Sequence, residues 1–277
     1  MTTPVVLRTD KPPTIPSQLV EDFAPPLLDD SRHQLCPGCG EPVAMRAAAD
    51  AMTELEIENR TIAVVGIGCY TVFSAALDVD TVQALHGRAP SVATGVNRMQ
   101  PDSVVVSTQG DGDMVNEGLQ EILHTAARGE AITAVLLNNG VFGETGGHMT
   151  ATTVLGQRTK NTLEGRDAAL HGFPIPIADL IAQLEGAVYV GRTAVNNAGN
   201  VARTRRMFQR AFELQLEGAG FTFIEVLTMC PTGWVVETAD APDYLDDQLV
   251  ARYGLGVLKD TVLKDTVLKD TASNDAV

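Results

Sequence analysis

The stretch Val104-Val105-Val106-Ser107-Thr108-Gln109-Gly110-Asp111-Gly112-Asp113 decides how the chain folds. Its β-branched start reads as a buried strand, Val104–Ser107, and its end is a glycine-rich turn placed directly before a segment of helical period, Val115–Arg128. That segment puts Val115, Leu119, Ile122, Leu123 and Ala126 on one stripe. Working outward, short apolar runs recur at Ile62–Ile67, Ile132–Leu137, Val188–Val190 and Phe221–Leu227, nearly unbroken in the way of parallel strands covered on both faces. Helical segments alternate with them: Glu41–Leu55, with Pro42 in its first turn, then Ile177–Leu184 and Val201–Leu216. The alternation predicts an α/β fold, a doubly wound parallel sheet with helices on both faces, whose ligands sit where strands end.

Composition narrows what such a sheet can serve. Against 20 Lys and Arg the 277 residues carry 35 Asp and Glu, a formal charge of −15 and a pI near 4.6, so the surface repels a phosphate backbone and nucleic acid is not expected as a partner. Hydrophobic residues make up 44%, yet no uninterrupted apolar stretch approaches the roughly 20 residues of a bilayer crossing, and residues 1–30 carry prolines and carboxylates where a signal peptide has a basic start. A cytoplasmic protein with no membrane partner is the expectation. Residues 1–34, with Pro4, Pro12, Pro13, Pro16, Pro25 and Pro26, read as an extended arm whose apolar Leu19, Val20, Phe23, Leu27 and Leu28 suit a partner subunit's surface. Residues 35–256 form the expected domain. From Val257 the sequence Val-Leu-Lys-Asp-Thr runs three times, a period matching neither helix nor strand, so residues 257–277 are expected to be a peripheral tail.

Chemistry concentrates at the quoted turn. Glycines there let a diphosphate approach the backbone beside a helix N-terminus, and Asp111 is compatible with phosphate only if a cation lies between them. The next strand ends in Asn138-Asn139, adjacent in a parallel sheet, so Asn139 offers a second oxygen to the same Mg²⁺. Gly-Asp-Gly followed by Asn-Asn, 30 residues from Gly110 to Asn139, resembles the thiamine diphosphate fingerprint.

The resemblance extends further. Cys36-Pro-Gly-Cys39, Gly66-Ile-Gly-Cys69, His86-Gly-Arg-Ala89, Gly110-Asp-Gly-Asp113, Phe142-Gly-Glu-Thr-Gly-Gly147 and Cys230-Pro-Thr-Gly-Trp234 stand in the order of the β, thiamine-binding subunit of 2-oxoacid:ferredoxin oxidoreductases. The likeness covers roughly residues 33–258 and is nearest to the 2-ketoisovalerate and 2-oxoglutarate members. It implies Asp111, Asn139 and the carbonyl of Val141 as Mg²⁺ ligands. It implies Ile67, Gly68, Cys69, Tyr70, His86, Gly110, Gly112, Asp113, Gly143 and Thr145 as the lining of the thiamine diphosphate site, and Cys36, Cys39, Cys69 and Cys230 as the thiolates of a [4Fe–4S] cluster. Arg98 and Glu144 stand where the resemblance places the substrate side, both as departures from the family's usual residues. His148, a third departure, has no assigned role, and His124 is expected to be a core histidine.

By spacing alone four thiolates suit zinc as well as iron and sulfur. A non-redox thiamine decarboxylase or carboligase shares the Gly-Asp-Gly to Asn-Asn signature without needing four cysteines, and a zinc-stabilised binding subunit needs no thiamine. The resemblance implies oxidative decarboxylation of a 2-oxoacid, with coenzyme A taking the acyl group and ferredoxin the electrons. A carboxylate from a second, pyrimidine-binding domain activates the cofactor in thiamine enzymes; the expectation is that an α subunit carries it, in an assembly of two αβ units, and that this chain is inactive alone. Arg203, Arg205, Arg206 and Arg210 are a candidate basic patch for acidic ferredoxin.

Overall fold

The computed structural model describes residues 33–261. Nearly all of the proline-rich arm, and the tail beyond Thr261, lie outside the described residues. A seven-stranded sheet forms the centre, in the order β2-β1-β3-β4-β8-β7-β9. Its strands are β1 (Thr61–Val65), β2 (Asp80–Gln83), β3 (Val104–Gly110), β4 (Thr133–Asn138), β7 (Ala187–Ala194), β8 (Phe221–Leu227) and β9 (Gly256–Asp260), and a separate two-stranded hairpin joins β5 (Val141–Phe142) to β6 (His148–Met149). All central pairings are parallel; β9 alone runs antiparallel, against β7.

Five helices cover the sheet: α1 (Glu41–Glu54), α2 (Ala89–Met99), α3 (Leu119–Ala127), α4 (Ile177–Ala182) and α5 (Ala198–Leu216). The strand period of two divides the core. Val104, Val106, Val135, Leu137, Ile224 and Val226 face α1 and α5, while Val105, Ala134, Leu136 and Phe223 face α2, α3 and α4. Both faces are thus buried, as the unbroken apolar runs require, and the doubly wound expectation holds. Five alanines of α1 turn inward, and small side chains allow α1 and α5 to approach closely.

The differences from the sequence reading have physical causes. The expected helix Val115–Arg128 is split into a π-helical turn, Gly112–Glu117, and α3, because Gly118 meets the backbone of Gly87, where a Cβ would lie 2.4 Å from the Gly87 carbonyl. The strand expected at Val188–Val190 continues through Arg192 to Ala194: Arg192, 1% exposed, donates to Glu225 (2.6 Å) and Asp179 (2.5 Å), which lets a charge lie inside the sheet. Strand β2 has no apolar pattern because it is a fully exposed edge, and α2, with Gly95 and three β-branched residues, is held by its neighbours rather than by propensity. The sequence reading closed the domain at residue 256. The sheet instead takes in the first copy of the repeat, since an edge strand needs a hydrogen-bonding ladder and not an apolar face.

Breaking the buried pair is expected to be costly: Arg192→Met leaves Glu225 without a counter-charge, with Asn138 Nδ2 (2.6 Å) still donating to it, a loss of about 3–5 kcal/mol, whereas Arg192→Met with Glu225→Leu loses less. Urea unfolding of the three proteins checks this, and equal losses in the two variants would contradict it.

Candidate functional site: two cavities with a common wall

Chain order places the site. From β1 the chain moves outward to β2 and then returns to β3 on the other side of β1, so a crevice opens beyond the carboxyl ends of β1 and β3. The turns Gly66–Cys69 and Gly110–Asp113 fill its rim. Asp113 latches them together: one carboxylate oxygen accepts from Tyr70 Oη (2.7 Å), Gln109 Nε2 (2.9 Å) and Ile67 N (3.3 Å), the other from Gly87 N (2.6 Å). His86 Nδ1 lies 3.3 Å from Asp113 and 3.0 Å from Glu117. Asp113 is therefore saturated by the protein, and burial together with its charge lifts the Tyr70 phenol well above its ordinary range.

The first cavity is lined by Ile67, Gly68, Cys69, Tyr70, His86, Gly110, Asp111, Gly112, Asp113, Asn139, Val141, Gly143, Glu144 and Thr145, that is, by the residues expected there other than Arg98, together with Glu41 and Phe142, which sequence reasoning missed. Asp111 is 2% exposed; its Oδ2 accepts from the hydroxyls of Thr150 (2.5 Å) and Thr152 (2.7 Å). Burial raises Asp111 to about 6 against these hydrogen bonds. Asn139 is held on all sides: its carbonyl accepts from Trp234 Nε1 (2.7 Å), its Oδ1 from Val141 N (3.0 Å), and its Nδ2 faces Glu41 Oε1 at 3.4 Å. Glu41 Oε2 is buried without a partner, and burial, then Asp111, then Glu144 push Glu41 up to about 8. An orphaned buried carboxylate oxygen beside a second buried carboxylate and an amide oxygen is an oxygen-rich donor set suited to a hard cation. The residues present fit a Mg²⁺-bound diphosphate.

The second cavity, about 200 Å³, is lined by Cys36, Cys39, Cys69 and Cys230 with Leu35, Val72 and Pro231. Four sulfurs from three distant segments converge here; Cys36 and Cys39 meet Cys230 because Gly40 N donates to Met229 O (3.0 Å), fixing the start of α1 beside the end of β8. Burial pushes Cys69 and Cys230 up to about 12, and Cys39 further, which keeps these thiols protonated in the metal-free chain. At Gly143 a Cβ would sit 3.3 Å from Cys230 Sγ and 3.5 Å from Cys69 Sγ, a cradle that a larger residue would fill. Among the described residues no three cysteine sulfurs lie within 4.8 Å of one another. Cys69, Glu41, Asn139, Gly143 and Glu144 line both cavities.

Other expectations are corrected. Arg98 is not at the site; with Arg128 it pairs with Glu130, Arg98 Nη2 at 2.5 Å. His124 is exposed rather than in the core, and exposed His148 lies 3.2 Å from Asn161 outside both cavities. In the arginine patch, Arg205 pairs with Glu54 (2.9 Å) and Arg210 with Asp260 (3.3 Å). Glu54 ends α1, whose 14 residues start beside Cys39, so Arg205 lies on the order of 20 Å from the cysteines. Missed residues Glu41, Thr150, Thr152 and Trp234 reach the site through contacts far apart in sequence, which no local pattern records.

Because burial raises Glu41 and Asp111, the cation-free folded chain holds protons more tightly than the unfolded chain. That stability is fully present below about pH 4 and is lost as pH rises through about 6 and then 8. Thermal unfolding in chelator is expected to show a smaller decline between about pH 5 and pH 8.5 in Glu41→Gln than in the wild type, and Mg²⁺ to stabilise the wild type more at the higher pH. Equal Mg²⁺ effects at both pH values would contradict this.

Comparison with known proteins agrees with the geometry. Residues 66–226 match the family model described as thiamine pyrophosphate enzyme, C-terminal TPP binding domain. The ketoisovalerate oxidoreductase subunit VorA of Methanothermobacter thermautotrophicus is 35% identical over 225 residues, 81% of this chain and 47% of that protein. The 2-oxoglutarate synthase subunit KorB of Archaeoglobus fulgidus is 33% identical over 78% of this chain and 77% of its own length. A solved 2-oxoglutarate:ferredoxin oxidoreductase from Magnetococcus marinus, with 2-oxoglutarate, coenzyme A and succinyl-CoA bound, superposes with a TM-score of 0.70 at 26% identity, covering 85% of this chain and 84% of that one. The chain spans about half the length of the VorA relatives it matches. It belongs to the thiamine pyrophosphate-binding domain family, in the branch of 2-oxoacid:ferredoxin oxidoreductase subunits.

Proposed function

We propose that the chain is the thiamine diphosphate-binding β subunit of a 2-oxoacid:ferredoxin oxidoreductase, working with an α subunit that carries the pyrimidine domain. A 2-oxoacid, coenzyme A and two oxidised ferredoxins yield acyl-CoA, CO₂, a proton and two reduced ferredoxins. The observation that carries this reading is the common wall: the cavity holding all four cysteines adjoins the Asp111 cavity through Cys69 itself. A non-redox thiamine enzyme has no use for that arrangement.

Asp111, Asn139 and the Val141 carbonyl would hold Mg²⁺ and through it the diphosphate, and Cys36, Cys39, Cys69 and Cys230 a [4Fe–4S] cluster. When bound, thiamine diphosphate supplies a carbon nucleophile for the 2-oxo group and a sink for the electrons released with CO₂. The chain's own residues orient and confine. Asp113 fixes the β1 and β2 turns through Tyr70, Ile67 and Gly87, and Phe142 with Val141 walls the pocket on its apolar side. No Lys or Arg lines either cavity among the described residues, and Glu144 adds negative charge, which favours a 2-oxoacid with an uncharged side chain, such as 2-ketoisovalerate, over 2-oxoglutarate.

Co-purification with the α partner without oxygen tests the reading. A brown complex with about four irons and four sulfides per chain is expected. Loss of that chromophore in each Cys→Ser variant, and viologen reduction faster with 2-ketoisovalerate than with 2-oxoglutarate or pyruvate, are expected too. Zinc in place of iron, with no reduction of the dye on any 2-oxoacid, would overturn it.

A further inference from the structure

The segment Thr150-Ala151-Thr152-Thr153 has no part in the motifs, yet all three threonines are buried, at 3%, 0% and 0% exposure. The hydroxyls of Thr150 and Thr152 converge on one oxygen, Asp111 Oδ2, at 2.5 and 2.7 Å. Thr152 Oγ1 also lies 3.0 Å from Asn138 Oδ1, but a hydroxyl has one proton, and the shorter contact to the carboxylate claims it. Two hydroxyl donors on Oδ2 fix the carboxylate's rotation, and the backbone N–H groups of Asp111 and Asn139 support the same carboxylate.

The segment is itself held rigidly. Arg166, 8% exposed, donates to the carbonyls of Thr150 (3.0 Å) and Thr153 (2.9 Å), Tyr253 Oη donates to the Thr152 carbonyl (2.6 Å), and Asn116 Oδ1 accepts from Ala151 N (2.8 Å). Beneath it, Thr153 Oγ1 donates to the Gly140 carbonyl (2.6 Å), tying the segment to the loop that carries Asn139. Asp111 and Asn139 come from different strands, and this segment touches both of their loops.

We propose that Thr150 and Thr152 are positioning residues for the divalent cation: their paired hydroxyls orient the Asp111 carboxylate and thereby set cation affinity. The proposal rests on the cation reading of Asp111 given above. It follows from a general property of metal sites, in which hydrogen bonds to a ligating carboxylate hold it in the binding geometry and their removal weakens binding by about 10- to 100-fold. Valine replaces threonine without changing its shape and removes only the hydroxyl. Serine keeps the hydroxyl and removes a methyl.

The test uses the complex of this chain with its α partner, stripped of metal by chelation and titrated with Mn²⁺ in the presence of thiamine diphosphate. Free Mn²⁺ is read by its electron paramagnetic resonance signal. Thr150→Val and Thr152→Val are each expected to weaken Mn²⁺ binding at least about tenfold, while Thr150→Ser and Thr152→Ser stay within about threefold of the wild type. Wild-type affinity in both valine variants would overturn the threonine role and leave the cation site standing. Equal losses in the serine and valine variants would also overturn it, by assigning the effect to packing. Failure of the wild type to bind Mn²⁺ at all would overturn the cation reading and this proposal with it. Thermal unfolding in chelator accompanies each titration, and a valine variant that loses Mn²⁺ affinity at an unchanged unfolding temperature separates positioning from loss of fold.

Discussion

Three carboxylates, Glu41, Asp111 and Asp113, each no more than 3% exposed, are buried where the parallel strands end, and the arrangement of the site follows from how their charge is met. Asp113 is satisfied entirely by protein donors and so becomes structure, fastening the turns after β1 and β2 to the turn after β3. Asp111 receives two hydroxyls on one oxygen and backbone N–H groups of Asp111 and Asn139, yet burial outweighs them. Glu41 faces an amide at 3.4 Å and has its other oxygen without a partner. A buried carboxylate lacking donors either takes a proton or waits for a cation. Compensation therefore falls from Asp113 through Asp111 to Glu41.

What was legible in the sequence was what covalent neighbours determine. Gly110-Asp111-Gly112 declares a strand-to-helix turn, Asn138-Asn139 the end of the adjacent strand, and both resemblances were anchored on such local strings. Unbroken valine and leucine runs declared strands buried on two faces. The parts that stayed hidden are those whose reason lies elsewhere in the chain. Trp234 matters because its indole reaches the Asn139 carbonyl 95 positions away, and Glu41 because α1 begins against Met229. Arg192 lay beyond the strand expected at Val188–Val190 and is instead inside it, since the acids that neutralise it come from α4 and β8. Arg98 failed in the opposite sense: a cation near the motifs in sequence found its acid on the turn after α3.

The edges of the sheet obey different rules from its centre. The outer strands β2 and β9 carry exposed side chains and owe their places to backbone pairing, so neither an apolar stripe nor strong propensity marks them. The antiparallel β9 also gives Arg210 its partner, Asp260, and Arg205 is matched by Glu54, so half of a helix face that looks basic in sequence is neutralised within the chain.

The most economical route between the two cavities is the turn Gly66–Cys69. Cys69 begins a 3-10 turn whose next residue, Tyr70, is bonded to Asp113, and its thiol faces the other cysteines across the space kept open by Gly143. The separation of the two sites is thus set by one residue's own covalent length and by a buried hydrogen bond, not by the docking of two mobile bodies. Rigid packing of this kind transmits position with little slack. Because Cys69, Glu41, Asn139, Gly143 and Glu144 line both cavities, the four-cysteine pocket and the Asp111 pocket are held at a fixed short separation by one wall.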